Sequence, residues 1–247
     1  MCGRYHIKIS ENELSKIIEA AKDATGSHSG ECSSSFSGGE VLPGNLAPVI
    51  TYNNKACFMK WGFPSILESK APHINARSET AANARTFSEA MTARRCIIPA
   101  SAYYEWKAPD KKQKIKYEFT LQDRTLLYMA GIYSKDWRFA VLTRASTPEI
   151  AEIHDRMPVI LPKSLISHWL NESPDVIDKA LCDLKYAPIP ASDKQPRQIN
   201  LQATEEYGRQ GYNPASSKAR KAYEMRTRQL KLDFYSDLQN REHEIQG

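Results

Sequence analysis

Position 2 carries the residue whose chemistry stands out most from its surroundings. Cys2 directly follows Met1, and cysteine is small enough for the initiator methionine to be removed. The expected mature chain then begins with an α-amine and a thiol on adjacent carbons. An α-amine ionises near 7.7–8.0, so about a tenth of it is neutral at pH 7, against about one part in 2,500 of a lysine. Such an amine attacks an aldehyde to give a Schiff base, and the neighbouring thiol can close a five-membered thiazolidine ring that makes the adduct durable. The plainer alternative is a small residue buried at a strand start with Met1 kept, since free cysteine is among the most buried residue types. On these two residues alone both stay open.

The elements that must position Cys2 follow from periodicity. Tyr5, Ile7 and Ile9 alternate with polar residues, which predicts a half-buried strand opened by Cys2. Ser10 and Glu13 form a capping box, and Leu14, Ile17, Ile18 and Ala21 recur at helical spacing, predicting an amphipathic helix to about Lys22. The Gly- and Ser-rich stretch from Asp23 to Glu40 reads as a mobile surface loop. Short apolar or aromatic runs, "CFMKWGF", "RCIIPA", "IKYEFTL", "TLLYMAGIY" and "RFAVLT", are bounded by turn residues and predict a mainly β core. Two later helices are expected, one with Thr147 as cap and Pro148 in the first turn, the other with Ser173 and Pro174 in the same roles. The expected fold is therefore α+β: one compact domain of mainly antiparallel strands with flanking helices, over residues 1–202. From Ala203 onward, residues 203–247 are highly charged with few apolar positions, as in a helical or disordered tail.

Composition narrows the setting. A chain of 247 residues with 41% hydrophobic content can bury a core without disulfide or metal support. The net charge of +5 permits a polyanionic partner without demanding one. Cys2, Cys32, Cys57, Cys96 and Cys182 are odd in number and lack any CxxC or zinc-site spacing, which suits a reducing compartment. The first residues turn polar at once, and no apolar run is long enough to span a bilayer. We expect a cytoplasmic monomer with no metal and no cofactor.

Further along lie "PGNLAP" from Pro43, "WGF" from Trp61, "NARSET" from Asn75, "RCIIPASAYYEW" from Arg95, "AGIY" from Ala130 and "IHDRMPVIL" from Ile153. Each block is weak alone. Together with "MCGR", in this order and over roughly residues 1–190, they resemble the SOS response-associated peptidase family, whose members crosslink to abasic sites in single-stranded DNA. The resemblance implies that Cys2 is the crosslinking nucleophile, that Asn75 orients the amine, and that Glu105 shuttles protons. Partial burial of Glu105 would raise its pKa towards neutrality, as carbinolamine formation and dehydration require. His154 is expected near a helix C-terminus, where the dipole favours the imidazolium, and could donate a proton as the abasic sugar opens. Arg4, Arg77, Arg85 and Arg156 match or lie near arginines that grip flanking phosphates, and guanidinium suits that task. Trp61 and Trp106 are candidate stacking faces for unpaired bases. The bland readings are a solvated His154, a salt-bridged Glu105, scattered surface arginines and tryptophans packed in the core.

The implied activity is covalent capture of an abasic site that protects the lesion during replication and the SOS response, with associated autoproteolytic and lyase-type activities. One departure is visible: "WGFPSILESKAPHINARSET" is short and lacks a second tryptophan usual in the family, which puts any junction preference in doubt. In the tail, Gln229, Leu230, Leu232 and Phe234 lie in "QLKLDF", similar to peptides that dock on the bacterial sliding clamp; the plainer reading, which six-residue matches favour, is one apolar face of a charged helix. Rival readings are a non-covalent single-strand binding module, carried by the arginines and aromatics, and an N-terminal-nucleophile amidotransferase, which shares only the "MCG" start.

Overall fold

The computed structural model describes residues 2–9, 12–24, 36–66, 71–108, 114–122, 126–180 and 184–189. The expected tail, with Gln229, Leu230, Leu232 and Phe234, lies outside the described residues, as do Met1, Ser10, Cys32 and Cys182.

Two sheets carry the fold. The first contains β1 (Tyr5–Ile7), β2 (Gly39–Val41), β7 (Ala102–Lys107), β8 (Ile115–Leu121) and β12 (Leu184–Pro188), in the antiparallel order β12-β8-β7-β1-β2. The second holds β3 (Leu46–Thr51), β4 (Lys55–Trp61), β5 (Asn75–Arg77), β6 (Arg95–Ala100), β9 (Leu127–Tyr133), β10 (Arg138–Ala145) and β11 (Arg156–Pro158). Its pairs β10–β4, β4–β3, β3–β6, β6–β9 and β9–β10 return to their starting strand, so these five close a ring. Closure matters because it leaves β10 paired on both edges, and the far end of that strand is where β5 and β11 attach. Only the β10–β4 and β10–β5 pairs are parallel. The fold is α+β with mainly antiparallel strands, as the pattern of short apolar runs implied.

The sequence explains the burial. All six residues of β6 and six of the seven in β9 are buried, as expected of unbroken apolar runs covered on both faces. Gly131 in β9 is required by close approach: a Cβ there would lie 2.3 Å from Ile98 Cδ1 and 2.9 Å from the Ala140 oxygen. Helix α1 (Asn12–Ala24) buries Leu14, Ile18 and Ala21, one stripe at helical spacing, and packs on β3 and β4.

Several local expectations need correcting. Cys2 precedes β1 by three residues and does not open it. Helix α1 runs to Ala24, and the segment expected to be loop has structured ends, with Gly39–Val41 a strand. Helices α2 (Ser78–Ala81), α3 (Ser88–Ala93) and α5 (Ile166–Asn171) are short, and the one expected after Thr147 is a single turn, α4 (Pro148–Ala151). Thr147 makes no side-chain cap bond there, its hydroxyl being bonded to the Glu149 carboxylate. Ser173 does cap the Pro174–Lys179 3-10 turn, accepting from the Asp175 amide. No helix among the described residues is long and apolar enough to cross a membrane, and no cluster of three or more His, Cys, Asp or Glu among them could hold a metal.

Candidate active site

Four elements converge on Cys2. The Tyr104 amide of β7 donates to the Arg4 oxygen at 2.9 Å, and Tyr5 lies opposite Tyr103, so the segment leading from Cys2 into β1 runs beside the strand that carries Glu105. Strand alternation puts Tyr103 and Glu105 on one face of β7, both buried, and Tyr104 and Trp106 on the other. Asn75 opens β5 opposite Val141 of β10, and its Nδ2 donates to the Cys2 oxygen at 2.8 Å. His154 sits between α4 and β11 with Nε2 4.0 Å from Glu105 Oε2. The four residues singled out from sequence as catalytic candidates are thus brought together.

Protonation states follow from burial. Glu105 is pushed up to about 7, chiefly because its carboxylate is cut off from water; the chain's positive amino terminus opposes the shift and Asp155 adds to it. Cys2 is fully buried, and desolvation, reinforced by the charge of Glu105, drives its thiol far above the usual range, so it stays protonated at neutral pH. His154 is lowered below 6.5, first by burial and then by the amino terminus, with Asp155 pulling the other way. The expectation of a dipole-stabilised imidazolium is therefore reversed. A single helical turn has too few aligned peptide dipoles to offset desolvation. The Arg156 amide donates to His154 Nδ1 at 3.0 Å. An amide can only donate, so while this bond is kept Nδ1 is the acceptor and the neutral ring carries its proton on Nε2, the nitrogen that faces Glu105.

The binding candidates divide. Arg77 and Arg85 are exposed. Arg4 is half-buried, bonded to Glu40 at 3.0 Å, with its guanidinium 5.1 Å from the centre of the half-buried Trp106 ring. Two candidates are corrected. Trp61 is buried against Phe139 and Tyr5 and cannot offer a face to a base; its Nε1 donates to the Ile74 oxygen at 2.8 Å, which steadies the entry to β5 and hence Asn75. Arg156 is not presented for phosphate: Nη1 and Nη2 bond the two oxygens of Glu79 at 2.7 and 2.8 Å, and only 12% of the side chain is exposed.

Sequence reading missed three residues. Tyr5 and Tyr103 have buried hydroxyls without a hydrogen-bond partner among the described residues, and both are raised far above the ordinary phenol value, first by burial and then by Cys2. Period-two alternation from Glu105 could have found Tyr103. Glu79, the acid of "NARSET", was passed over because its partner Arg156 is 77 residues away.

An open antiparallel sheet beside a closed ring of strands, with Asn75, Glu105 and His154 gathered around the buried Cys2, defines a class of protein, and the sequence matches SOS response associated peptidase (SRAP) over residues 1–225. The chain belongs to this family. Among its relatives, abasic site processing protein YoqW of Bacillus subtilis is 32% identical over 219 residues, covering 81% of this chain and 92% of that protein. Abasic site processing protein YedK of Escherichia coli is 32% identical over 120 residues, 45% of this chain and 53% of that protein. A crystal structure of a protein from Bordetella bronchiseptica superposes with a TM-score of 0.59 at 25% identity, covering 76% of this chain and all of that one, and one from Bacteroides thetaiotaomicron shares the fold with a TM-score of 0.54 at 23% identity, covering 62% and 78%.

Proposed function

We propose that this protein processes abasic sites in single-stranded DNA by covalent capture through Cys2 once Met1 has been removed. The observation that carries the reading is that Cys2, held by Asn75, lies beside the strand that presents the buried Glu105 with His154 against it, in a chain whose relatives bear the name of abasic site processing proteins. The opened sugar is an aldehyde. The α-amine adds to its carbonyl carbon to give a carbinolamine, which loses water as an acid protonates the departing hydroxyl, leaving an imine. A carboxyl titrating near 7 can give and take these protons at neutral pH, whereas one near 4.3 would be a poor donor. The neutral thiol then adds across the C=N bond: sulfur bonds to carbon, the thiol proton passes to nitrogen, and a thiazolidine closes with one water lost overall.

The other residues support this sequence. Asn75 anchors the Cys2 carbonyl, and its buried Oδ1, without a partner among the described residues, is a neutral acceptor for the amine. Glu105 and Nε2–H of His154, 4.0 Å apart, form an acid–base pair that can open a hemiacetal, one taking and one giving a proton. Arg4, Arg77 and Arg85 are the cations offered to phosphate, Trp106 the aromatic offered to a base, and single-stranded DNA the partner. A role in the SOS response follows from this chemistry together with the family.

The test is a single-stranded oligonucleotide carrying one abasic site, incubated with the full chain and denatured in detergent. We expect a band of retarded mobility that Cys2→Ala abolishes, and an intact mass showing Met1 absent. Retained Met1, or complete release of the oligonucleotide on denaturation, would overturn covalent capture and leave a non-covalent strand-binding module.

A further inference from the structure

His154 Nδ1 has two neighbours with opposite demands. The Arg156 amide, at 3.0 Å, donates and requires a bare lone pair; Asp155 Oδ1, also at 3.0 Å, accepts and requires Nδ1–H. Both cannot be satisfied, and the winner decides whether the nitrogen facing Glu105 carries a proton or a lone pair. Mobility favours neither by itself: the Asp155 side chain is 86% exposed and free to move, while the amide holds its place only if Arg156 does.

Arg156 is held from several sides. Its fork grips both oxygens of Glu79, Nη2 also donates to the Thr143 oxygen at 2.5 Å, and Glu79 Oε1 accepts the Ala145 amide at 3.2 Å. Thr143 and Ala145 lie on β10, Glu79 on α2, and Arg156 opens β11 in register with Ala145. One carboxylate thus ties three elements at the place where the chain leaves His154. Glu79 is lowered to about 2, first by its bond to Arg156, so it stays charged throughout the working range.

We propose that Glu79 is a positioning residue that selects the tautomer of His154: by clamping Arg156 it keeps the Arg156 amide on Nδ1, excludes the Asp155 contact, and so holds the proton on Nε2 towards Glu105. The inference deepens the abasic-site reading and rests on it for its catalytic consequence, though not for its geometry. With Glu79 removed, the amide drifts, Asp155 takes Nδ1–H, and Nε2 presents a lone pair to a carboxyl that already needs a donor opposite. Among the described residues, the groups facing His154 include Glu105 from β7, and Asp155 and the Arg156 amide from its own segment. Of these, Asp155 alone competes for Nδ1 as an acceptor.

The experiment is nitrogen-15 NMR of the histidine ring in the full-length protein without DNA, with the crosslinking rate measured in parallel. Wild type is expected to show His154 as Nε2–H. Glu79→Ala should move it to Nδ1–H or a mixture, and adding Asp155→Ala should restore Nε2–H. Crosslinking by Glu79→Ala should slow about tenfold, a part of the roughly 10²–10⁴ that a positioned acid–base pair supplies, with affinity for undamaged single strands unchanged. An unaltered His154 signature in Glu79→Ala overturns the proposal, and so does an altered one that Asp155→Ala fails to restore, since a purely structural Glu79 predicts one or the other. Should Glu79→Ala fail to fold, Glu79→Gln, which keeps one acceptor for Arg156, is judged by the same signature with a smaller expected shift. The ring measurement needs no DNA, so a wild type that forms no crosslink would remove the proposed function while this inference is still decided on its own.

Discussion

Arg95 and the surroundings of Cys2 are both buried and polar, yet they are finished differently. The Arg95 guanidinium gives its hydrogens to the carbonyls of Trp169 at 2.5 Å, Met91 at 2.9 Å, Thr92 at 2.6 Å and Glu172 at 3.2 Å, and lies over the Trp169 ring. Around Cys2, Asn75 Oδ1 and the hydroxyls of Tyr5 and Tyr103 are buried without partners among the described residues. An unsatisfied buried polar atom costs about 1–3 kcal/mol, so a fold keeps several together only where something else uses them. Arg95 stabilises the chain; the Cys2 cluster leaves polar atoms that the proposed capture would use.

The comparison breaks first at Arg95. Arg95→Leu would take this donor from four carbonyls and leave the Trp169–Cys96 bond to hold α5 on β6, and we expect a loss of about 3–5 kcal/mol in urea unfolding. Crosslinking per folded molecule should stay near wild type. If stability hardly changed and crosslinking fell, the division between the two regions would be wrong.

Glu105→Gln should do the reverse. It removes the proton that the proposed dehydration exchanges and should slow adduct formation about 100-fold while sparing affinity for undamaged strands. The stability consequence has a definite sign. A carboxyl at about 7 in the folded chain and near 4.3 when unfolded keeps its proton longer in the native state, so the unfolded state gains relative stability as pH rises between those values. Glu105 therefore destabilises the fold progressively above roughly pH 4.3, by up to ~3 kcal/mol at pH 7, with most of the effect complete once the pH passes the folded value. Glu105→Gln should flatten that part of the stability profile and leave the variant more stable than wild type at pH 7. Parallel profiles for the two proteins would show that the carboxyl is not held up by burial.

Much of this site was legible in the sequence because strands and blocks are local. The alternation around Tyr5 and in "YYEW" places Tyr5 and Glu105 on inward faces, and the apolar runs mark the strands that enclose them. What escaped depends on contacts between distant segments. Trp61 looked available to a base, but only the pairing of β4 with β10 shows that it stacks on Phe139. Arg156 looked like a phosphate ligand, and its capture by Glu79 is set by β11 folding back on β10. The charge of His154 was misjudged for a related reason: sequence gave the helix start at Pro148 but not its length, and the dipole argument needs the length.

The finest division lies between Arg4 and Trp106, which touch and were both expected to meet DNA. Arg4 is tied to Glu40, which also accepts from Lys116, so its charge is partly spent within the protein; Trp106 holds the guanidinium from one side. Removing the cation should change the salt dependence of binding, because each phosphate contact to a single strand contributes a slope of roughly 0.7. Arg4→Gln should therefore lower the slope by about that amount. Trp106→Ala leaves the charge in place and removes only the ring contact, worth about 0.5–1 kcal/mol where solvent reaches it, so affinity should fall severalfold or less with the slope unchanged. Fluorescence anisotropy with an undamaged oligonucleotide across a salt series separates the two: a slope that falls equally in both variants would mean that Trp106 acts only by keeping Arg4 in place, and that no base stacks there.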